Sequence, residues 1–93
     1  MFLVTGFSAM VHFTLYSRSY CHLCDELLEA LQALSPEYSF TVEVVDVDSD
    51  EALLALYDDQ VPVLFGSRDG AASVRLCHYF LDEPKVKAFL TNG

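Results

Sequence analysis

Residues 11–17, VHFTLYS, alternate in character. Val11, Phe13 and Leu15 fall on one side, Thr14 and Tyr16 on the other. This period of two predicts a strand, and the size of Tyr16 suggests that both faces are covered. From His22 the period lengthens. Cys24, Leu27, Leu28, Leu31 and Leu34 share one helical face, with Asp25, Glu26, Glu29 and Gln32 opposite. Ser35-Pro36 is expected to end this helix after Leu34, because a residue before proline is pushed out of α geometry.

Alternation returns in SFTVEVVDV, residues 39–47, with Phe40, Val42 and Val44 on one side. Asp48 then offers a helix N-cap, with Glu51 at the capping-box position. Leu53, Leu54, Leu56 and Tyr57 carry the second helix. VPVLF (61–65) reads as a short apolar strand opened by Pro62, and GSRDG as a turn with glycine at both ends. ASVRLCHY (72–79) is its hairpin partner, with Val74 and Leu76 on one face. LDEPKVKAFL closes as a helix, Asp82 its N-cap and Pro84 in its first turn, where proline is tolerated.

The order is β-α-β-α-β-β-α, an α/β fold. The helix between the first two strands makes them parallel with a right-handed crossover. The last two form an antiparallel hairpin. A mixed four-stranded sheet with helices on both faces accommodates every segment. Residues 11–93 form one domain, and the apolar opening, residues 1–10, reads as an N-terminal extension. It lacks the positive start of a signal peptide.

Charge narrows the partners. Five Lys and Arg stand against 14 Asp and Glu, a net charge of −9. Such a surface repels phosphate backbones and anionic membranes, so neither nucleic acid nor membrane is expected as a partner. The chain has three cysteines, too few and odd in number for a secreted disulfide scaffold. A reducing, cytoplasmic setting and a monomer are expected.

The chemistry concentrates in YSRSYCHLCDELLEAL, residues 16–31. Cys21 falls at the start of a helix and Cys24 one turn in. Residues at i and i+3 share a face, so the sulfurs can meet. Free amides at a helix N-terminus favour a thiolate, so the Cys21 pKa is expected below the usual thiol value. Arg18 and protonated His22 push the same way, and Asp25 and Glu26 oppose. Cys21, the exposed sulfur, would attack a disulfide; Cys24, facing Leu27 and Leu31, would resolve the mixed disulfide. The bland alternative is two small buried residues. The placement after a strand and at a helix start favours the redox reading.

A strand, then C-x-x-C at a helix start, then Val61-Pro62 before the third strand resembles the thioredoxin fold in its glutaredoxin form. LYSRSYCHLCDEL is similar to the small bacterial glutaredoxin-like proteins with a Cys-His-Leu-Cys motif. The resemblance spans about residues 11–91. It implies a thiol–disulfide oxidoreductase and a cis bond at Val61-Pro62. It also implies that the Val61 backbone pairs with an extended substrate segment or glutathione. Arg18 becomes a candidate for a glutathione carboxylate, and Tyr20 a wall of the groove, with His22 beside it. The partner would be a disulfide-containing protein or a low-molecular-weight thiol. No tightly bound cofactor is expected.

The match to ordinary glutaredoxins breaks at two places. They place proline and an aromatic between the cysteines, where this chain has His22 and Leu23. They also carry a Gly-Gly turn that cradles glutathione. The corresponding stretch here is LCHYFLDEP, without glycine. Glutathione as reductant therefore lacks part of its cradle.

Two other classes stand beside the redox reading. One is a protein-binding module that keeps the fold without turnover. The other is a metal or Fe–S carrier, with His22, Cys77 and His78 as the remaining candidate ligands. Adjacent Cys77 and His78 point to opposite faces of a strand, so only one could join Cys21 and Cys24. DVDSDE (46–51) begins like a calcium loop but has Glu51 where glycine is needed and Tyr57 where glutamate is. Cys77 reads as a small buried residue. His12 and His78 have no carboxylate partner evident in sequence.

Overall fold

The computed structural model of the chain describes residues 10–92. The expectation for the apolar opening falls mostly on residues 1–9, outside the described residues. The elements are β1 (Val11–Ser17), α1 (His22–Gln32), β2 (Thr41–Asp46), α2 (Glu51–Tyr57), β3 (Val63–Arg68), β4 (Val74–His78) and α3 (Glu83–Asn92). Their order is the one that the change of period predicts.

The sheet runs β2-β1-β3-β4. β1 and β2 are parallel, while β3 is antiparallel to both β1 and β4. One face of β1 carries Val11, Phe13 and Leu15 into a core with Leu27 and Leu31 of α1, Leu64 of β3, Leu76 of β4 and Val86 of α3. On the other face Tyr57 of α2 stacks on Tyr16 at 4.9 Å between ring centroids, and Phe65 meets Tyr16 edge-on at 5.6 Å. Both faces of β1 are therefore covered, by α1 and α3 on one side and by α2 on the other.

Several boundaries differ from the sequence reading. α1 stops at Gln32 rather than Leu34. Ahead of Pro36 the chain tightens to three-residue spacing, with Leu34 N–H on Leu31 O and Ser35 N–H on Gln32 O. Leu34 is still buried.

Asp48 does not cap α2. A short 3₁₀ turn, Val47–Ser49, intervenes and drives Val47 fully into the interior. Asp46 caps that turn through Asp48 N–H, and Asp50 caps α2 through the N–H groups of Ala52 and Leu53. Acids at alternate positions all resemble caps, and burial of Val47 selects among them.

β3 runs on through Gly66 to Arg68, so the GSRDG turn shrinks to Asp69-Gly70. Both have positive φ, 54° and 80°, and Ala71 N–H returns to Arg68 O. Positive φ at both central positions makes this the mirror-image turn that suits a twisted hairpin. Gly66 sits inside the strand because a Cβ there would meet Phe89 at 2.8 Å and Leu76 at 3.0 Å. β4 shifts register between Leu64 and Phe65; along it Leu76 is buried, while Val74, opposite Gly66 at the start of the strand, is exposed. On the edge strand β2, Val44 is likewise exposed. In α2, Leu56 is exposed.

His12 has a carboxylate nearby, contrary to expectation. Its Nε2 lies 3.6 Å from Glu43 Oε1 and its Nδ1 2.7 Å from Thr41 Oγ1, because β1 and β2 are paired in parallel. Among the described residues no helix is long and apolar enough to cross a membrane.

Candidate active site

β1 delivers Ser17 to the end of the sheet, and the chain turns through Arg18, Ser19 and Tyr20 into α1. Tyr20 adopts φ 58°, a left-handed conformation rare for a bulky residue, and its ring is fully exposed. That reversal sets Cys21 as the N-cap of α1, one position earlier than the first turn expected from sequence.

Cys21 Sγ takes the place of a capping oxygen. It accepts the Cys24 N–H at 3.1 Å, and Asp25 N–H bonds Cys21 O at 3.1 Å. The Cys21 and Cys24 Cα atoms are 5.2 Å apart and the two sulfurs stand at disulfide distance. Cys24 is 3% exposed, on the α1 face that carries Leu27 and Leu31, while Cys21 is half-buried and reaches the surface. The pair thus has one accessible sulfur and one enclosed sulfur.

Cys21 opens onto a groove of about 580 Å³ lined by Arg18, Ser19, Tyr20, Asp48, Asp58 and Val61. Four of the sequence candidates, Arg18, Tyr20, Cys21 and Val61, therefore meet in one place. Pro62 lies buried behind it, joined to Val61 by a cis peptide bond. Pro62 O receives Tyr79 N–H at 2.8 Å, tying this turn to the end of β4. His22 is exposed on α1 and does not line the groove.

Two details revise the expected roles. Val61 N–H already donates to Tyr57 O at 3.1 Å. The Val61 N–H is therefore engaged within the chain rather than open to the groove. Arg18 is held in a two-point contact with Asp48, Nε to Oδ2 at 3.2 Å and a terminal nitrogen to Oδ1 at 3.0 Å. A glutathione carboxylate would have to compete with Asp48. Asp48 and Asp58 are groove residues that sequence reasoning missed. They come from segments some thirty and more residues after Arg18, brought in by the β2–α2 and α2–β3 connections.

Cys77 stands apart. It lies on β4 paired with Leu64 and is the free cysteine among the described residues. Burial pushes its thiol pKa up. Among the described residues no three His, Cys, Asp or Glu side chains gather as a metal site.

A family model described as a glutaredoxin-like domain (DUF836) matches residues 12–91. The chain belongs to this glutaredoxin-like family. The solution structure of protein Ne2328 from Nitrosomonas europaea is 38% identical, covering 90% of this chain and 93% of that one, with a TM-score of 0.73. A crystal structure of a protein from X. campestris is 34% identical, over 87% of this chain and 97% of that one, with a TM-score of 0.58. Fasciola hepatica thioredoxin, 24% identical over 88% of this chain and 79% of its own, has a TM-score of 0.58 and shares the fold. A search of curated proteins gives no match.

The glutaredoxin-like domain is thus of thioredoxin fold, with its C-x-x-C pair at the start of α1. Where ordinary glutaredoxins are expected to carry a Gly-Gly turn, this domain places Tyr79 at φ 66°. Tyr79 O–H donates to Asp59 O at 2.6 Å. A tyrosine anchored through its hydroxyl therefore takes a backbone conformation that glycine adopts more cheaply.

Proposed function

We propose that this glutaredoxin-like protein is a thiol–disulfide oxidoreductase in which Cys21 is the nucleophile and Cys24 the resolving thiol. In the reduced protein, Cys21 thiolate attacks one sulfur of a substrate disulfide. A Cys21–substrate S–S bond forms, the substrate S–S bond breaks, and the departing thiolate takes a proton from water. Cys24 thiolate then attacks Cys21 Sγ and expels the second substrate thiol. The substrate gains two electrons and the protein is left as the Cys21–Cys24 disulfide. A thiol or dithiol reductant restores it by the same exchange in reverse.

The observation that carries this reading is the asymmetry of the pair. Cys21 is accessible and capped onto the amide of Cys24, whereas Cys24 is enclosed beneath it. Amides at the helix start favour negative charge on the Cys21 sulfur at the moment of attack. The substrate is a disulfide-containing protein or a low-molecular-weight disulfide, and glutathione is one candidate reductant. The low, odd cysteine count accords with a reducing, cytoplasmic site of action.

Cys21→Ser is expected to abolish disulfide reduction. Cys24→Ser is expected to accumulate a covalent complex with substrate that dithiothreitol releases. Full activity in both variants would sink the proposal and favour a binding module that has kept the fold.

A further inference from the structure

The groove at Cys21 contains one cationic side chain, Arg18, among its lining residues, and Asp48 neutralises it through two contacts. Asp58 is the second carboxylate on the groove wall. It is exposed and has no cationic partner among the described residues. The local balance is one positive against two negative groups, and the chain as a whole carries −9. The most exposed surface in the groove is the Tyr20 ring, beside Cys21. An uncovered aromatic face attracts a guanidinium or ammonium group.

We propose that this groove selects disulfides flanked by positive charge, such as a polypeptide cystine next to Arg or Lys, over anionic disulfides such as oxidised glutathione. The inference rests on the exchange reading above and names its substrate class. Asp58 supplies the unpaired carboxylate and Tyr20 the aromatic face. Asp48 acts by holding Arg18 back from an incoming carboxylate. The chemical step is unchanged: Cys21 forms a bond to one substrate sulfur, and the other leaves as a thiolate that water protonates.

The test compares three small disulfides of similar length: cystamine (cationic), bis(2-hydroxyethyl) disulfide (neutral) and dithiodipropionate (anionic). The rate constant of the reduced protein with each is divided by that of free dithiothreitol, which removes differences in intrinsic reactivity. Cystamine is expected to exceed dithiodipropionate by about tenfold at low salt, falling toward parity near about 0.5 M salt as exposed charges are screened. Asp58→Asn is expected to reduce that ratio by about threefold, and Asp58→Lys to reduce it further. Asp48→Asn, which frees Arg18, should also lower it, chiefly by speeding dithiodipropionate and oxidised glutathione.

Equal normalised rates for all three probes, with no response to salt, would overturn the proposal while leaving exchange intact. A preference that survives both Asp48→Asn and Asp58→Asn would overturn the assignment to these residues. No turnover of the neutral probe would instead remove the exchange reading itself, and the selectivity with it.

Discussion

The backbone N–H of Cys24 donates to Cys21 Sγ at 3.1 Å. One cysteine is therefore packed in the core and also holds the other at the surface. Burying Cys24 with Leu27 and Leu31 fixes the helix start, and the helix start fixes the sulfur that meets the groove.

This arrangement separates the three thiols of the reduced protein by reactivity. Cys21 is expected to alkylate first with limiting iodoacetamide at neutral pH, about tenfold or more ahead of Cys77. Cys77 is half-buried and its pKa is raised by burial. Peptide mass analysis of a short time course reads the order. Modification of Cys77 first would contradict the site geometry.

Asp50 caps α2 and Asp48 does not. Asp50→Ala is expected to cost about 1 kcal/mol of stability through loss of the bonds to Ala52 and Leu53 N–H. Asp48→Ala is expected to cost less, since a half-exposed ion pair contributes little. Urea unfolding of both variants, with the same slope, gives the comparison.

Gly66 is enclosed between Phe89 and Leu76. Gly66→Ala places a methyl group within 2.8 Å of the Phe89 ring and should destabilise the fold by about 1–3 kcal/mol through overpacking. Gly70→Ala meets open space, so any loss there comes from its φ of 80° alone. Thermal melts of the two variants separate steric from conformational cost.

Alkaline pH should destabilise the reduced protein. Burial raises the Cys77 pKa above 9.0, so the fold favours the neutral thiol. That contribution is complete below the ordinary thiol value and is lost as pH rises through the raised one. Tyr16, raised by burial and by Tyr57 and Glu43, acts in the same direction. Urea midpoints of the wild type are expected to fall across this alkaline window, and to fall less in Cys77→Ala.

The element order was legible because the hydrophobic period changes from two to about 3.6 from His22 and returns to two in residues 39–47. Such a change reports local geometry, which sequence carries directly. The cap of α2 was not legible: Asp46, Asp48 and Asp50 all fit a capping template, and tertiary burial of Val47 decides between them. Gly66 read as a turn residue because the Phe89 ring and the Leu76 side chain that demand it come later in the chain. The same limit applies at the groove. Cys21, Tyr20 and Arg18 sit in one short segment and could be found together. Asp48 is 30 residues from Arg18, and only the pairing of β1 with β2 places it there.

The central claim is that Cys21 and Cys24 form a working dithiol couple. Equilibrating the protein in glutathione buffers of graded poise, then reading thiols by alkylation and mass, tests it most directly. The account predicts one reversible two-electron transition confined to Cys21 and Cys24, between about −270 and −180 mV. No reversible disulfide at any poise would contradict it.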